Sequence, residues 1–182
     1  MRCQWVRDNQ LDMDYHDHEW GSPSHDERYL FEQLMLECQV AGLSWATILA
    51  KRESFRTAFD DFDAHKMALY DDQKVEDLML DAGIIRHRLK IKAMISNAQA
   101  YLDMLSEGLS FNDYFWGFVD HEVILNMDDK FVTQSDLSDR ISKDLKRRGF
   151  KFVGSTTVYA YLQAVGIIND HEVSCFVRRN HE

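Results

Sequence analysis

Apolar residues recur along this chain at helical rather than strand spacing. Ser24-x-x-Glu27 has the form of a capping box, and Leu30, Phe31, Leu34 and Met35 follow it on one face. Ser44 is placed to cap a segment whose apolar face takes in Trp45, Ile48, Leu49, Phe55 and Phe59. Asp71 or Asp72 opens a short helix through Val75, Leu78, Met79 and Ala82, with Gly83 as its left-handed stop. A second helix restarts near Arg88, carries Ile91, Met94, Ile95, Ala98, Leu102 and Leu105, and ends at Gly108. Ser110 opens an aromatic segment (Phe111, Tyr114, Phe115, Phe118), and Leu137, Ile141 and Leu145 mark a helix closed by Gly149. Ser155 or Thr156 caps Val158, Tyr161, Leu162 and Val165, closed by Gly166. With no alternating stretch long enough for a sheet, no repeat and no linker, residues 1–182 read as one all-α unit.

Composition supports this reading. At 182 residues, 45 % hydrophobic and 12 % aromatic, the chain can bury a sizeable core. One proline and eight glycines are too few for a turn-rich β-sandwich or barrel. No apolar run approaches the roughly 18 residues of a membrane span, and the first ten residues lack a signal-peptide core. Three cysteines cannot build a disulfide framework and suit a reducing, cytoplasmic setting. A monomer is the expectation for a chain of this size.

The net charge of −10 argues, taken alone, against a protein that coats phosphate backbones. The average hides islands, however. Residues 1–37 hold nine acids against three bases, and residues 103–129 hold seven acids and no base. Arg86, Arg88, Lys90 and Lys92 form one basic island, and Arg140 to Lys151 carries six bases against Asp144 alone. Each island taken singly is the pattern of an ordinary solvated helix face.

Three constellations could carry chemistry. Cys3 and His16 lie on an N-terminal segment without periodicity, while His171 and Cys175 lie four apart, a spacing that shares one face of a helical turn. Two thiolates and two imidazoles satisfy tetrahedral zinc with no open position, yet these separations match no short zinc motif, and bland terminal residues remain the alternative. The stretch from Leu78 to Ala98 reads as two helices around a turn that runs into the first basic island. Such a hairpin can aim backbone amides and a helix N-terminus at a phosphate, or it can be a plain corner between helices. Finally, Trp5, Tyr15, Trp20 and Trp45 are interleaved with Glu37, a carboxylate inside the apolar run LMLEC that must be paired or used. Together they permit a flat, partly cationic ligand stacked on rings and held by one carboxylate.

Seven ordered blocks carry a resemblance: RCQWV (2–6), YHDHEWG (15–21), LECQVAGLSW (36–45), KRESFR (51–56), DAGIIRHRLKI (81–91), RRGFKFVGSTTVYAYLQAVGIINDH (147–171) and HEVSC (171–175). They resemble the 3-methyladenine DNA glycosylase I family of bacterial base-excision repair across nearly the whole chain, most weakly in 106–135. The resemblance implies an all-α helix-hairpin-helix glycosylase fold with the hairpin at about 72–105. It also implies one structural zinc on Cys3, His16, His171 and Cys175 that joins residues 1–20 to 167–182. Small departures are Leu89, where glycine is typical in the hairpin neighbourhood, and Ser22, where valine is usual.

The implied substrate is alkylated double-stranded DNA and the released product 3-methyladenine. N3-methyladenine in DNA is cationic and leaves as a neutral base, so flipping and holding it is most of the task. On this resemblance Glu37 recognises the base, Trp45 stacks on it, Tyr15 supplies a pocket hydroxyl, and Trp5 and Trp20 complete the walls. Gly42 and Leu43, with Ala41, form the turn that plugs the gap in the duplex, and Gly83, Arg86, Arg88 and Lys90 hold the backbone. No acid after the hairpin (Asp103, Glu107, Asp113) takes a catalytic role, and no lysine is placed for Schiff-base chemistry, which implies a monofunctional enzyme without lyase activity. The rival readings are a non-catalytic, zinc-stabilised module that senses damaged DNA, and a zinc hydrolase, which a closed Cys2His2 set disfavours.

Overall fold

A computed structural model describes residues 1–127, 130 and 132–179. Eleven α-helices follow one another among them: α1 (Gln10–His18), α2 (Glu27–Gln39), α3 (Trp45–Ala50), α4 (Arg52–Ala58), α5 (Ala64–Met67), α6 (Asp72–Leu80), α7 (Arg88–Ser106), α8 (Phe111–Gly117), α9 (Asp136–Arg147), α10 (Ser155–Ala164) and α11 (Phe176–Arg179). The all-α expectation therefore holds, with one addition. Ile124–Leu125 (β1) pairs in parallel with Ile168–Asn169 (β2), a two-residue bridge too short to leave an alternating pattern in sequence.

Local capping decides most helix starts. Ser44, Asp71 and Ser110 accept hydrogen bonds from the backbone amides of Thr47 (3.2 Å), Lys74 (2.8 Å) and Asp113 (3.0 Å), as their positions predict. The expected Ser24–Glu27 box does not form. Asp26 caps α2 instead, accepting from the Tyr29 amide at 2.7 Å. Glu27 turns away to accept from the Tyr101 hydroxyl (2.8 Å) and the amides of Phe111 (2.7 Å) and Asn112 (3.0 Å), so it pins the start of α8. The segment after Ser44 is two helices rather than one, broken at Lys51. Gly154, not Ser155 or Thr156, occupies the cap of α10, and Ser155 Oγ reaches Ser138 Oγ at 2.7 Å.

The core is built around α2, which packs against α3, α7, α8 and α10. Every residue from Leu30 to Gln39 is buried, the signature of a helix enclosed on all sides. Glu37 is thereby carried into the interior by its neighbours. Contacts among Leu30, Leu34, Phe55, Met94, Phe111, Tyr161 and Ile168 belong to one continuous apolar cluster. The two ends of the described chain form a second, smaller cluster of Cys3, Cys175 and Val177, with Val6 and Trp20 against it. Among the described residues no helix is long and apolar enough to cross a membrane.

Gly166 shows how tightly the N-terminal strap is laid on the core. Its φ is +74°, and a Cβ there would lie 2.3 Å from backbone atoms of Ser22 and Pro23. Neither backbone can yield, so Gly166→Ala will destabilise the fold by at least about 2 kcal/mol, read as a lower urea midpoint at unchanged m-value. Gly83 differs from its expected role. It does not adopt the left-handed conformation of a helix stop: α6 ends at Leu80, and the Gly83 amide donates to Asp81 Oδ1 at 2.7 Å. Its smallness serves a close approach, since a Cβ would stand 2.9 Å from Ser54 Cβ.

Candidate functional site

A cavity of about 460 Å³ opens where the N-terminal segment, α1, the end of α2, the start of α3 and α10 converge. Trp5, Tyr15, Trp20, Glu37 and Trp45, the five residues singled out in sequence for a pocket, all line it. Tyr15 and Trp45 sit with ring centroids 5.2 Å apart and tilted by 40°, while Trp5 meets Trp20 edge to face at 5.1 Å. Flat aromatic walls of this kind accept a planar ring by stacking.

Glu37 is an ionisable group that the protein leaves without a partner at the cavity wall. It is 5 % exposed, and its carboxylate makes no hydrogen bond or ion pair with any described residue. Burial alone pushes its pKa from 4.5 up to about 8, so the carboxyl of the free protein carries its proton at neutral pH. Burial, then the neighbouring Glu37, lifts the Tyr15 phenol well above its ordinary range. The Trp45 indole N–H is buried without an acceptor. A cationic or hydrogen-bonding guest would satisfy groups that the protein itself leaves without partners.

The wall is braced from behind. Arg52 on α4 grips Glu19, beside the end of α1, through two hydrogen bonds of 2.5 and 2.9 Å, which fixes the helix that presents Tyr15. Sequence reasoning missed the opposite wall, where Gln163 and Asp170 line the cavity. Asp170 accepts from Gln163 Nε2 at 2.5 Å and from the Tyr159 hydroxyl at 3.3 Å. The available signal was a polar Gln163 inside the apolar run AYLQAV. A second cleft of about 470 Å³ lies between Glu27 and Lys66, and three of its four acids, Glu27, Asp60 and Asp63, are already engaged. Asp60 accepts from the Tyr70 hydroxyl at 2.5 Å, and Asp63 caps α5.

Cys3, His16, His171 and Cys175 come together, all buried, with their ligand atoms within 4.8 Å of one another. Their placement corrects two local expectations. His16 rides on α1 rather than on an irregular segment, and His171 and Cys175 meet across a turn closed by Cys175 N–H to Glu172 O (2.8 Å), not on a helix. Sulfur-to-nitrogen separations are 3.5 Å for Cys3–His171, 3.4 Å for Cys175–His16 and 3.6 Å for Cys175–His171. A tetrahedral zinc with ordinary bond lengths spaces such atoms about 3.5 Å apart, so the donor set fits that ion. The outer nitrogens are held as well. His16 Nδ1 lies 2.8 Å from Asp17, itself gripped by Arg2, and His171 Nε2 lies 2.9 Å from the Trp20 carbonyl. Those partners turn His16 Nε2 and His171 Nδ1 toward the centre.

On the outer surface, the turn between α2 and α3 is exposed and left-handed at Gly42 (φ +76°), with Leu43 41 % exposed at its tip. It lies between two cavity-lining residues, Val40 and Trp45. Across the helix pair α6–α7 the expected phosphate contacts divide. Arg86 is exposed without an ion-pair partner among the described residues. Arg88 is exposed but clamped to Glu76 (Nη2 to Oε2, 2.9 Å). Lys90 is not on the surface at all: it is 5 % exposed, and its ammonium is committed to two main-chain carbonyls. The basic island is thus smaller than its composition indicates, because position on the helix sends one of its charges inward.

A family profile described as methyladenine glycosylase matches residues 5–179. The chain is 49 % identical over 177 residues to DNA-3-methyladenine glycosylase 1 of Escherichia coli K12, covering 96 % of this chain and 95 % of that protein. Among solved structures it is similar to a 3-methyladenine DNA glycosylase I at 49 % identity and a TM-score of 0.95, covering 97 % and 98 % of the two chains. A single-residue variant of such an enzyme, solved with 3-methyladenine bound, is similar at 37 % identity and a TM-score of 0.92, covering 97 % and 96 %.

Proposed function

This chain belongs to the methyladenine glycosylase family, and from that premise we propose how its own residues excise an alkylated base. The substrate is N3-methyladenine in duplex DNA, and the product is the free base beside an intact abasic strand. The observation that carries this reading is Glu37, a carboxylate without a partner at the wall of an aromatic cavity. A damaged, weakly paired base is the easiest to unstack, and the cavity volume of about 460 Å³ accommodates one.

Once inside, the cationic ring stacks on Trp45, which Tyr15 backs at a centroid distance of 5.2 Å, while Glu37 gives up its proton to solvent and faces the ring as a carboxylate. The bond from C1′ to the base nitrogen then breaks, its electron pair leaving with the base, which departs neutral. Water adds to the electron-poor C1′ and loses a proton to bulk solvent. Glu37 and the rings exclude water from the base and reject neutral purines, which offer the carboxylate no compensating charge. Leu43 fills the space in the stack, and the α7 N-terminus with Arg86 meets the backbone phosphates.

Cys3, His16, His171 and Cys175 would hold zinc with every position filled, so the ion ties the chain ends together and offers no site for water. Its contribution to catalysis is the position of Trp5, Tyr15 and Trp20, which neighbour its ligands in sequence.

Incubation with methylated duplex DNA, followed by chromatography of the released bases, tests the reading. Free 3-methyladenine with an unbroken, alkali-sensitive strand is the expected result; absence of free base would sink it. The pH profile follows from Glu37. Because its pKa in the free protein is raised to about 8, kcat/KM will climb between about pH 6 and 8 and level above. A profile flat across that interval would remove Glu37 ionisation from the mechanism.

A further inference from the structure

Two lysines tie the segment from the end of α2 to the start of α4 to the α6–α7 pair, in opposite directions. Lys90, in the first turn of α7, donates from Nζ to the carbonyls of Gln39 and Ala41, each at 2.7 Å. Lys51, at the break between α3 and α4, donates to the carbonyls of Ala82 (2.9 Å) and Gly83 (3.2 Å). Gln39 is the last residue of α2, the helix that carries Glu37. Lys90 therefore sets a positive charge on orphan carbonyls at the negative end of that helix, and on the first residue of the turn.

The arrangement costs free energy. Burial lowers the Lys90 pKa, and an aliphatic side chain would fill the same space without desolvating an ammonium. What lysine supplies and an aliphatic residue cannot is a directional hold on two specific carbonyls. One belongs to the helix end behind Glu37, the other to the turn that exposes Leu43.

We propose that Lys90 is a positioning residue for base displacement: by holding the Ala41–Leu43 turn to the phosphate-facing helix pair, it sets how Leu43 enters the duplex when the hairpin grips the backbone. Lys51 makes the reciprocal tie. Neither lysine touches DNA in this scheme. The proposal rests on the glycosylase reading above and specifies how two surface elements of that enzyme act as one.

Single-turnover excision from methylated duplex DNA, compared for wild type, Lys90→Met, Leu43→Ala and the double variant, tests it. Two companion measurements are the affinity for free 3-methyladenine, read from tryptophan fluorescence, and the salt dependence of binding to undamaged duplex. Lys90→Met is expected to slow excision about tenfold or more, leave free-base affinity within about twofold, and leave the salt slope unchanged. In the Leu43→Ala background its further effect shrinks to less than about twofold, because both changes disable one step.

A phosphate ligand would instead lower the salt slope by about one and multiply with Leu43→Ala. General loosening of the pocket would weaken free-base binding in step with excision. Either result, or excision at the wild-type rate, overturns the proposal. Should circular dichroism show Lys90→Met unfolded, Lys51→Met, whose tie lies nearer the surface, takes its place in the same measurements, and a wild-type excision rate there overturns the proposal equally. Failure of the wild-type protein to release any base would count against the glycosylase reading, and that arm involves no variant.

Discussion

Replacing Glu37 by glutamine will cut kcat/KM for 3-methyladenine excision roughly 100-fold while making the free protein harder to unfold in mild alkali. The first effect follows from losing a charged acceptor in a desolvated site, a change of about 2–3 kcal/mol for one interaction with an ionised group. The second follows from linkage. Glu37 has an ordinary pKa of 4.5 and a folded value of about 8, so between those limits the folded protein keeps a proton that the unfolded chain has released. Wild-type stability attributable to this group is therefore full below about pH 4.5, falls as pH rises, and levels above about pH 8. Glutamine does not ionise and escapes the loss. The difference in melting temperature between variant and wild type will be small at pH 5 and positive at pH 9, by at least about 5 °C, for an effect of about 2 kcal/mol or more. Thermal scans at the two pH values decide it. A variant less stable than wild type at both would mean that Glu37 serves the fold rather than the ligand.

Disrupting the Cys3–His16–His171–Cys175 cluster will have the larger effect on stability. In the proposed Cys2His2 site, Cys175→Ala will lower bound zinc from one per chain to none, by elemental analysis. It will also lower the melting temperature by about 10 °C, on the order of 3 kcal/mol. A chelator strong enough to strip wild type will reproduce the shift, and will leave Cys175→Ala unaffected. The loss concentrates at the ends of the chain, where Cys3, Cys175 and Val177 make only a small apolar cluster of their own. Hydrogen exchange should therefore accelerate in α1 and around residues 167–175 well before it does in α2 or α7. A chelator-insensitive melting curve for a wild-type protein shown to contain zinc would separate the ion from the fold.

Caps that act within one turn were legible because their physics is local. Ser44, Asp71 and Ser110 each need only an amide three residues ahead. Ser24 failed for a reason the chain does not display: Glu27, its reciprocal partner in the box, is drawn off to the start of α8, some 84 residues away in sequence. Gly108, Gly149 and Gly166 do end helices with positive φ, as their places after periodic segments predict. Gly83 looked alike in sequence but answers to Ser54, a neighbour from another helix.

The candidate site divides in the same way. Glu37 could be picked out as a carboxylate in an apolar run, whereas the Cys3, His16, His171 and Cys175 set followed from the ordered motif blocks, since its spacing matches no short metal motif. The convergence of the pocket residues into one cavity with unpartnered polar atoms depends on α1, α2 and α10 meeting, and no spacing along the chain encodes that. The basic island is the sharpest case. Four positive charges between residues 86 and 92 can be counted from sequence. Only the packed structure determines that Lys90 faces two carbonyls, Arg88 faces Glu76, and Arg86 is left exposed. Residue type sets what a side chain can do, and local periodicity sets which element carries it. Direction and partner come from contacts between elements distant in sequence, and those exist only once the chain has folded.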